Sequence, residues 1–403
     1  MLQAILYHQK VRDYFKAQTK TWEYFSTPSN KELQLQQFKT ELLKNTYQFD
    51  TTADAYIYDK VNLAKEKLGL QTLPVTVYQS QYSEELNASI VYLNQEAHIV
   101  FSGPITKLLD EAELQAVIAH ELTHVKLYTM LGGELEIADR IITAIANHRN
   151  SEAAHYETAR LFRLYTEIFC DRGAYLVTGN IDPVISSLVK ASTGLERVSA
   201  AAYIKQTDEI LNGEKSLKTA GISHPENYIR TAAIRWFAND AATADEQIKG
   251  LMEGVVELDQ LDIFGQQSLQ QLTQNILQLL LKPKWMRSTL LMGLAKNYFP
   301  DFTLRDNYLL TADLIQLLEK QHDSIKDYAC FILLDFALAD AALEEIPMGW
   351  AFQLAEDLQL KTFFDAVIKK EMKLSDKRLQ QYRQKALSAF SEVKENDSEQ
   401  IYE

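Results

Sequence analysis

Leu114-Gln115-Ala116-Val117-Ile118-Ala119-His120-Glu121-Leu122-Thr123-His124 is an apolar run interrupted by two histidines and a glutamate. It contains no glycine or proline, and its alanines and leucines favour a helix. Val125 and Leu127 extend the apolar character, so the helix is predicted to be buried. At about 3.6 residues per turn, side chains four apart share a face, and His120 and His124 can present both imidazoles to one ion. Glu121 falls on the adjoining flank. There it can reach a water beside the ion without ligating it, which suits a general base. A solvated helix could carry the same residues by chance. In an apolar helix, however, three ionisable groups are costly without a partner, and one zinc ion supplies it.

On either side of this run the sequence changes character. Asp110-Glu111 places acids at the start of the helix, and Gly132-Gly133 ends it. Upstream, residues 1 to about 70 read as helices, punctuated by Thr27-Pro28-Ser29-Asn30, with Gly69 as a C-cap. Pro74-Val75-Thr76-Val77-Tyr78, Ser89-Ile90-Val91-Tyr92-Leu93 and His98-Ile99-Val100-Phe101 are β-branched and aromatic, and predict a sheet of about three strands. Asn94-Gln95-Glu96 reads as the hairpin turn between the last two. Downstream, helices are predicted over 134–147, 155–178, from Asp182-Pro183, and from His224-Pro225 to Trp236; beyond about 241 the chain reads as helical, with an acidic tail over 395–403.

The whole chain has 403 residues, 14 glycines and 8 prolines, which favours helices over a turn-rich β protein. A net charge of −14 without a basic cluster argues against a nucleic-acid partner. Two cysteines, Cys170 and Cys330, cannot form a disulfide framework and suggest a reducing compartment. Neither a signal peptide nor an apolar run of membrane-spanning length is evident, so the expectation is a cytoplasmic protein without a membrane span.

A zinc site of this type needs a third protein ligand and leaves its fourth position to water. No His or Asp follows His124 at short spacing, but Thr166-Glu167-Ile168-Phe169-Cys170-Asp171-Arg172-Gly173-Ala174 comes 43 residues later. Glu167 and Asp171 are four apart on a predicted helix. Glu167 can therefore bind the ion while Asp171 accepts a hydrogen bond from the far nitrogen of a ligand histidine. Gly173 and Ala174 would let the two helices approach closely.

Together, His120-Glu121-Leu122-Thr123-His124 and Glu167-x-x-x-Asp171 resemble the M48 family of gluzincin metallopeptidases, which includes HtpX-type enzymes and the CAAX prenyl protease. Asn87-Ala88 before Ser89-Ile90-Val91 resembles the start of that family's active-site edge strand, and His98-Ile99-Val100-Phe101-Ser102-Gly103 its following strand. Ser223-His224-Pro225 with Arg230 resembles its downstream His-Pro…Arg motif. The resemblance covers roughly residues 50–240. It implies one zinc ion held by His120, His124 and Glu167, with Glu121 as base and His224 as a stabiliser of the oxyanion. It also implies a substrate strand beginning Asn87, Ala88, Ser89.

The remaining candidates have plainer readings. His148 and His155 fit an exposed linker and a helix start, His98 a surface or groove position, and Cys170 a packed thiol turned away from the site. Residues 331–340 and 350–360 loosely resemble the helical pattern of TerB-like domains, against the plainer reading of an amphipathic bundle.

The expected fold is therefore mainly α with a small β-sheet, a zincin-like α+β core, plus an all-α C-terminal domain. The expected domains are 1–50 (helices), 51–240 (peptidase) and 241–403 (helical). The expected function is a zinc-dependent endopeptidase acting on peptides or proteins, with a protein partner or an autoinhibitory contact for residues 241–403. The alternative is a latent, zinc-bearing scaffold or regulator working through that helical region.

Overall fold

The computed structural model describes residues 2–27, 32–213 and 224–394. The expected break at Pro28-Ser29-Asn30, Ser223 of the His-Pro motif and the acidic tail lie outside them. The helices and strands are divided between two compact units, Met1–Gly254 and Val255–Glu403.

In the first unit the order is α1 (Leu6–Lys16), α2 (Thr19–Ser26), α3 (Glu32–Asn45), β1 (Thr46–Gln48), α4 (Ala55–Leu68), β2 (Val75–Ser80), β3 (Asn87–Leu93) and β4 (Glu96–Ser102). Then come α5 (Ile105–Leu108), α6 (Glu111–Thr129), α7 (Glu134–Ala146), α8 (Ala153–Thr178), α9 (Ile181–Thr193), α10 (Ala200–Gly213), α11 (Asn227–Asn239) and α12 (Ala241–Met252). The chain is mainly α with a small sheet, as its composition implies.

That sheet has four strands in the order β1-β2-β4-β3, one more than the sequence suggested. β2 and β4 are parallel, while β3 pairs antiparallel with β4 and forms an outer strand. Asn94 and Gln95 join β3 to β4 with φ of 53° and 65°, the left-handed pair that a two-residue hairpin turn needs. β4 is an inner strand, with Ala97, Ile99 and Phe101 fully buried. His98 is buried as well, where a surface or groove position was expected. Its other face is covered by the Phe38 ring of α3 and by Tyr78, whose hydroxyl lies 3.4 Å from Nδ1. Burial lowers the pKa of His98.

α6 begins at a capping box. The Asp110 carboxylate accepts from the Ala112 and Glu113 amides, and Glu113 accepts from the Asp110 amide. Lys190 of α9 donates to the same Glu113 carboxylate at 2.8 Å, which ties α9 to the start of α6. Leu114, Ile118, Leu122 and Val125 bury one side of α6 in the core with Val61, Ala64 and Ile99. At about 25 cal/mol per Å² of apolar area, each large side chain there contributes roughly 1.5–3 kcal/mol. α8 crosses α6 so tightly that a Cβ at Gly173 would lie 2.0 Å from Thr123 Oγ1. This glycine sets the separation of the two helices that carry the candidate site.

α12 belongs to this unit. Arg172 pairs with Asp245 at 2.6 Å and the Tyr165 hydroxyl donates to Glu253 at 2.8 Å. The first unit consequently runs to Gly254, past the change in sequence near residue 240.

The second unit is all helical: α13 (Ile263–Leu280), α14 (Thr289–Tyr298), α15 (Ala312–Glu319), α16 (Asp323–Ala339), α17 (Ile346–Asp357), α18 (Lys361–Glu371) and α19 (Asp376–Lys394). Its core surrounds the fully buried Trp350, whose indole N–H donates to the Leu280 carbonyl at 3.0 Å. Among the described residues, no helix is long and apolar enough to cross a membrane.

Candidate metal centre

α6 and α8 bring together the residues that the sequence paired at a distance. His120 Nε2 lies 3.4 Å from one oxygen of the Glu167 carboxylate, and His124 Nε2 lies 3.8 Å from the other. The far nitrogen of His120, Nδ1, lies 3.0 Å from Asp171 Oδ1. This is the arrangement that i, i+4 spacing on two crossing helices produces. His224 sits just before α11, is exposed, and places Nδ1 3.4 Å from Glu167 Oε2.

All of these residues line one cleft of about 530 Å³. Glu121 lines it too, with only 6% of its surface exposed. So do Asn87, Ala88 and Ser89 at the start of the outer strand β3. His148 and His155 sit apart, in the α7–α8 connection and the first turn of α8.

The electrostatics of the cleft are uneven. Burial alone would lower the pKa of His120, but hydrogen bonds to Asp171 and Glu167 and their negative charges overcome it and hold the ring up to about 10. For His124 burial outweighs the attraction of Glu167 and lowers the ring to about 4. Burial opposes ionisation of Glu167, yet hydrogen bonds from His120 and His224 and the charge of Arg230 keep its pKa well below the usual carboxylate range. Glu121 goes the other way. Burial raises it to about 7, with the neighbouring cations pulling back and Glu167 pushing up.

Arg230 of α11 is the residue that the sequence underrated. It appeared only as the end of the His-Pro…Arg motif, whereas its buried guanidinium donates through Nε and Nη2 to both oxygens of Asp171, at 2.8 and 2.6 Å. Nη1 comes within 3.4 Å of Glu167 Oε2. Its six-residue distance from His224 was the available signal.

Cys170 requires a correction. Its sulfur lies within 4.8 Å of ligand nitrogens of both His120 and His124, so it faces the site. Proximity alone would group it with the two histidines as a metal-binding set. The Glu167 carboxylate also faces both Nε2 atoms, at 3.4 and 3.8 Å. Burial, followed by the charges of Glu167, Glu121 and Asp171, pushes the Cys170 thiol up and keeps it protonated.

Two imidazole nitrogens and an ionised carboxylate, with a second carboxylate behind one imidazole, are chemically suited to a divalent ion of intermediate softness. The cleft thus joins a His-Glu-x-x-His helix, a Glu-x-x-x-Asp helix and the start of an outer strand. Residues 52–236, somewhat under half of the chain, match the model of peptidase family M48, and this segment is similar to that family. Neither a curated protein nor a solved structure matches the chain significantly.

Proposed function

We propose that the chain is a zinc-dependent endopeptidase. The observation that carries this reading is the convergence of His120 Nε2 and His124 Nε2 on the two oxygens of Glu167, at 3.4 and 3.8 Å. In this reading those three residues hold one ion, and Asp171, clamped by Arg230, fixes the tautomer of His120. When bound, zinc supplies Lewis acidity toward a peptide carbonyl and toward water.

Glu121 handles the proton. A carboxylate raised to about 7 is close to balance between its two forms at neutral pH, where general acid–base catalysis is most effective. It takes a proton from the attacking water as the C–O bond forms, then passes it to the amine nitrogen as the C–N bond breaks. His224 is the candidate donor to the tetrahedral oxyanion: its Nδ1 faces Glu167, which leaves Nε2 for the substrate. The outer strand β3 is suited to adding an extended peptide as a further strand, with main-chain hydrogen bonds carrying affinity.

A latent zinc scaffold would favour four closed protein ligands and needs no base. The buried Glu121 lining the cleft supports the enzyme instead. The test is a digest of casein and a mixed peptide library by zinc-loaded protein. Hydrolysis that stops on chelation and returns with zinc supports the reading, and a loaded protein that cleaves nothing contradicts it.

A further inference from the structure

The peptidase reading gives Cys170 nothing to do, yet its sulfur is a donor beside both histidines. That sulfur and one nitrogen from each of His120 and His124 lie within 4.8 Å of one another. Among the described residues, no other three His, Cys, Asp or Glu donors gather so closely. Helix geometry places the thiol there: Cys170 follows Glu167 by three residues on α8, about 60° from it around the helix axis.

The two donors differ in their access to solvent. His120, His124, Glu121 and Glu167 all line the cleft, whereas Cys170 does not line it and is fully buried. The histidines thus have one neighbouring donor on the cleft, a carboxylate, and one enclosed in the protein, a sulfur. We infer that His120 and His124 have a second donor set, completed by Cys170 instead of Glu167, which takes a soft, thiophilic ion such as cadmium and silences the catalytic centre. The inference rests on the two histidines being metal ligands, as in the endopeptidase reading, and adds a class of inhibitory ion to it.

The chemistry of the donors separates the two sets. Carboxylate oxygen suits harder ions, and thiolate sulfur suits softer ones. A carboxylate is already an anion at neutral pH, whereas a thiol must lose its proton to become a ligand. At Cys170, burial and the charges of Glu167, Glu121 and Asp171 oppose that loss. An ion must therefore bond strongly to sulfur to offset it, which favours the softest ions. The step is a ligand exchange without oxidation or reduction. The ion sheds a water, a metal–sulfur bond forms, and the thiol proton passes to solvent. An ion drawn to the enclosed sulfur is withdrawn from the cleft where Glu121 lies, so hydrolysis stops although the centre is filled.

The test titrates the full chain, its thiols kept reduced, with cadmium chloride and with zinc chloride. Affinity is read by competition with a chromophoric chelator, and sulfur ligation by thiolate-to-cadmium charge transfer in the ultraviolet. The expected result is one cadmium per chain with the charge-transfer band in the wild type, and no band in Cys170→Ala or the near-isosteric Cys170→Ser. The preference for cadmium over zinc should fall by at least about tenfold in both variants, the low end of what losing even an outer partner of a metal ligand costs. Cadmium binding without the band overturns the second donor set and leaves the zinc site intact. So does a band or a preference that is unchanged in the folded variants. A chain that binds neither ion removes the metal centre itself, and the inference falls with it.

Discussion

Arg230 grips Asp171 with two nitrogens, Nε on Oδ2 at 2.8 Å and Nη2 on Oδ1 at 2.6 Å, and the same Oδ1 lies 3.0 Å from His120 Nδ1. Three elements, α6, α8 and α11, thereby meet on one carboxylate. Asp171→Asn keeps the shape but removes the charge that fixes the histidine. It should weaken zinc binding by about 10–100-fold, measured by competition with a chromophoric chelator. Arg230→Ala leaves Asp171 and Glu167 buried without their cation. It should destabilise the first unit by about 3–5 kcal/mol, read from denaturant unfolding. Unchanged values in both variants would remove the clamp from the account.

Metal uptake should release protons. His120 is held up to about 10 by Asp171 and Glu167, whereas a ligand imidazole must be neutral. His124, at about 4, and Glu167, well below the carboxylate range, are already in their binding forms. Zinc affinity is consequently expected to rise by up to tenfold per pH unit between pH 7 and 10. Calorimetry at pH 8 in buffers of different ionisation enthalpy should count about one proton released per ion. Binding with no proton release would contradict the arrangement around His120.

The closeness of α6 and α8 depends on Gly173. A Cβ placed there would overlap the buried Thr123 side chain, and the helices would have to separate. Gly173→Ala should cost about 3 kcal/mol or more, at the upper end for overpacked cores. It should also lower zinc affinity, because Glu167 would move away from the two histidines. Stability and affinity measured on the same preparation test both effects. A variant as stable as the wild type, with the same affinity, would show the contact to be unimportant.

His8 of α1 gives the first unit an acid sensitivity. It is fully buried, with Nε2 3.2 Å from the Phe162 carbonyl and 3.1 Å from Thr166 Oγ1, and burial lowers its pKa to about 3. Its folded pKa lies below its ordinary 6.5, so the folded state binds fewer protons than the unfolded state. The stability it contributes is complete above pH 6.5 and is lost as the pH falls toward 3, at up to about 1.4 kcal/mol per pH unit. Across the whole interval the loss is on the order of 5 kcal/mol. Denaturant unfolding of wild type and His8→Phe at pH 7 and pH 5 should show a shallower decline in the variant. Equal declines would mean that His8 does not titrate with unfolding.

Much of the candidate site could be read from spacing, because helix geometry makes four-residue intervals nearly deterministic. His120 with His124, and Glu167 with Asp171, needed only to be placed on helices. What spacing leaves open is the crossing of elements. Arg230 reaches Asp171 from a third helix, and no interval in the sequence specifies that contact. Cys170 was misread for a local reason. It is one residue, about 100°, from Asp171, but three residues from Glu167, which returns it to the same side of the helix. Burial of His98 depends on α3 covering β4, and a single alternating strand does not reveal that. β1, only three residues long, is too short to show any alternation.

The central claim is that Glu121 performs proton transfer at a zinc site. The most direct measurement compares zinc-loaded wild type with Glu121→Gln on the same peptide library, with zinc content determined for both. The expected result is one zinc per chain in each, hydrolysis by the wild type, and a fall of at least about 10²-fold in kcat for the variant, the usual scale for a lost general base. A variant that binds zinc and hydrolyses peptides at the wild-type rate would contradict it.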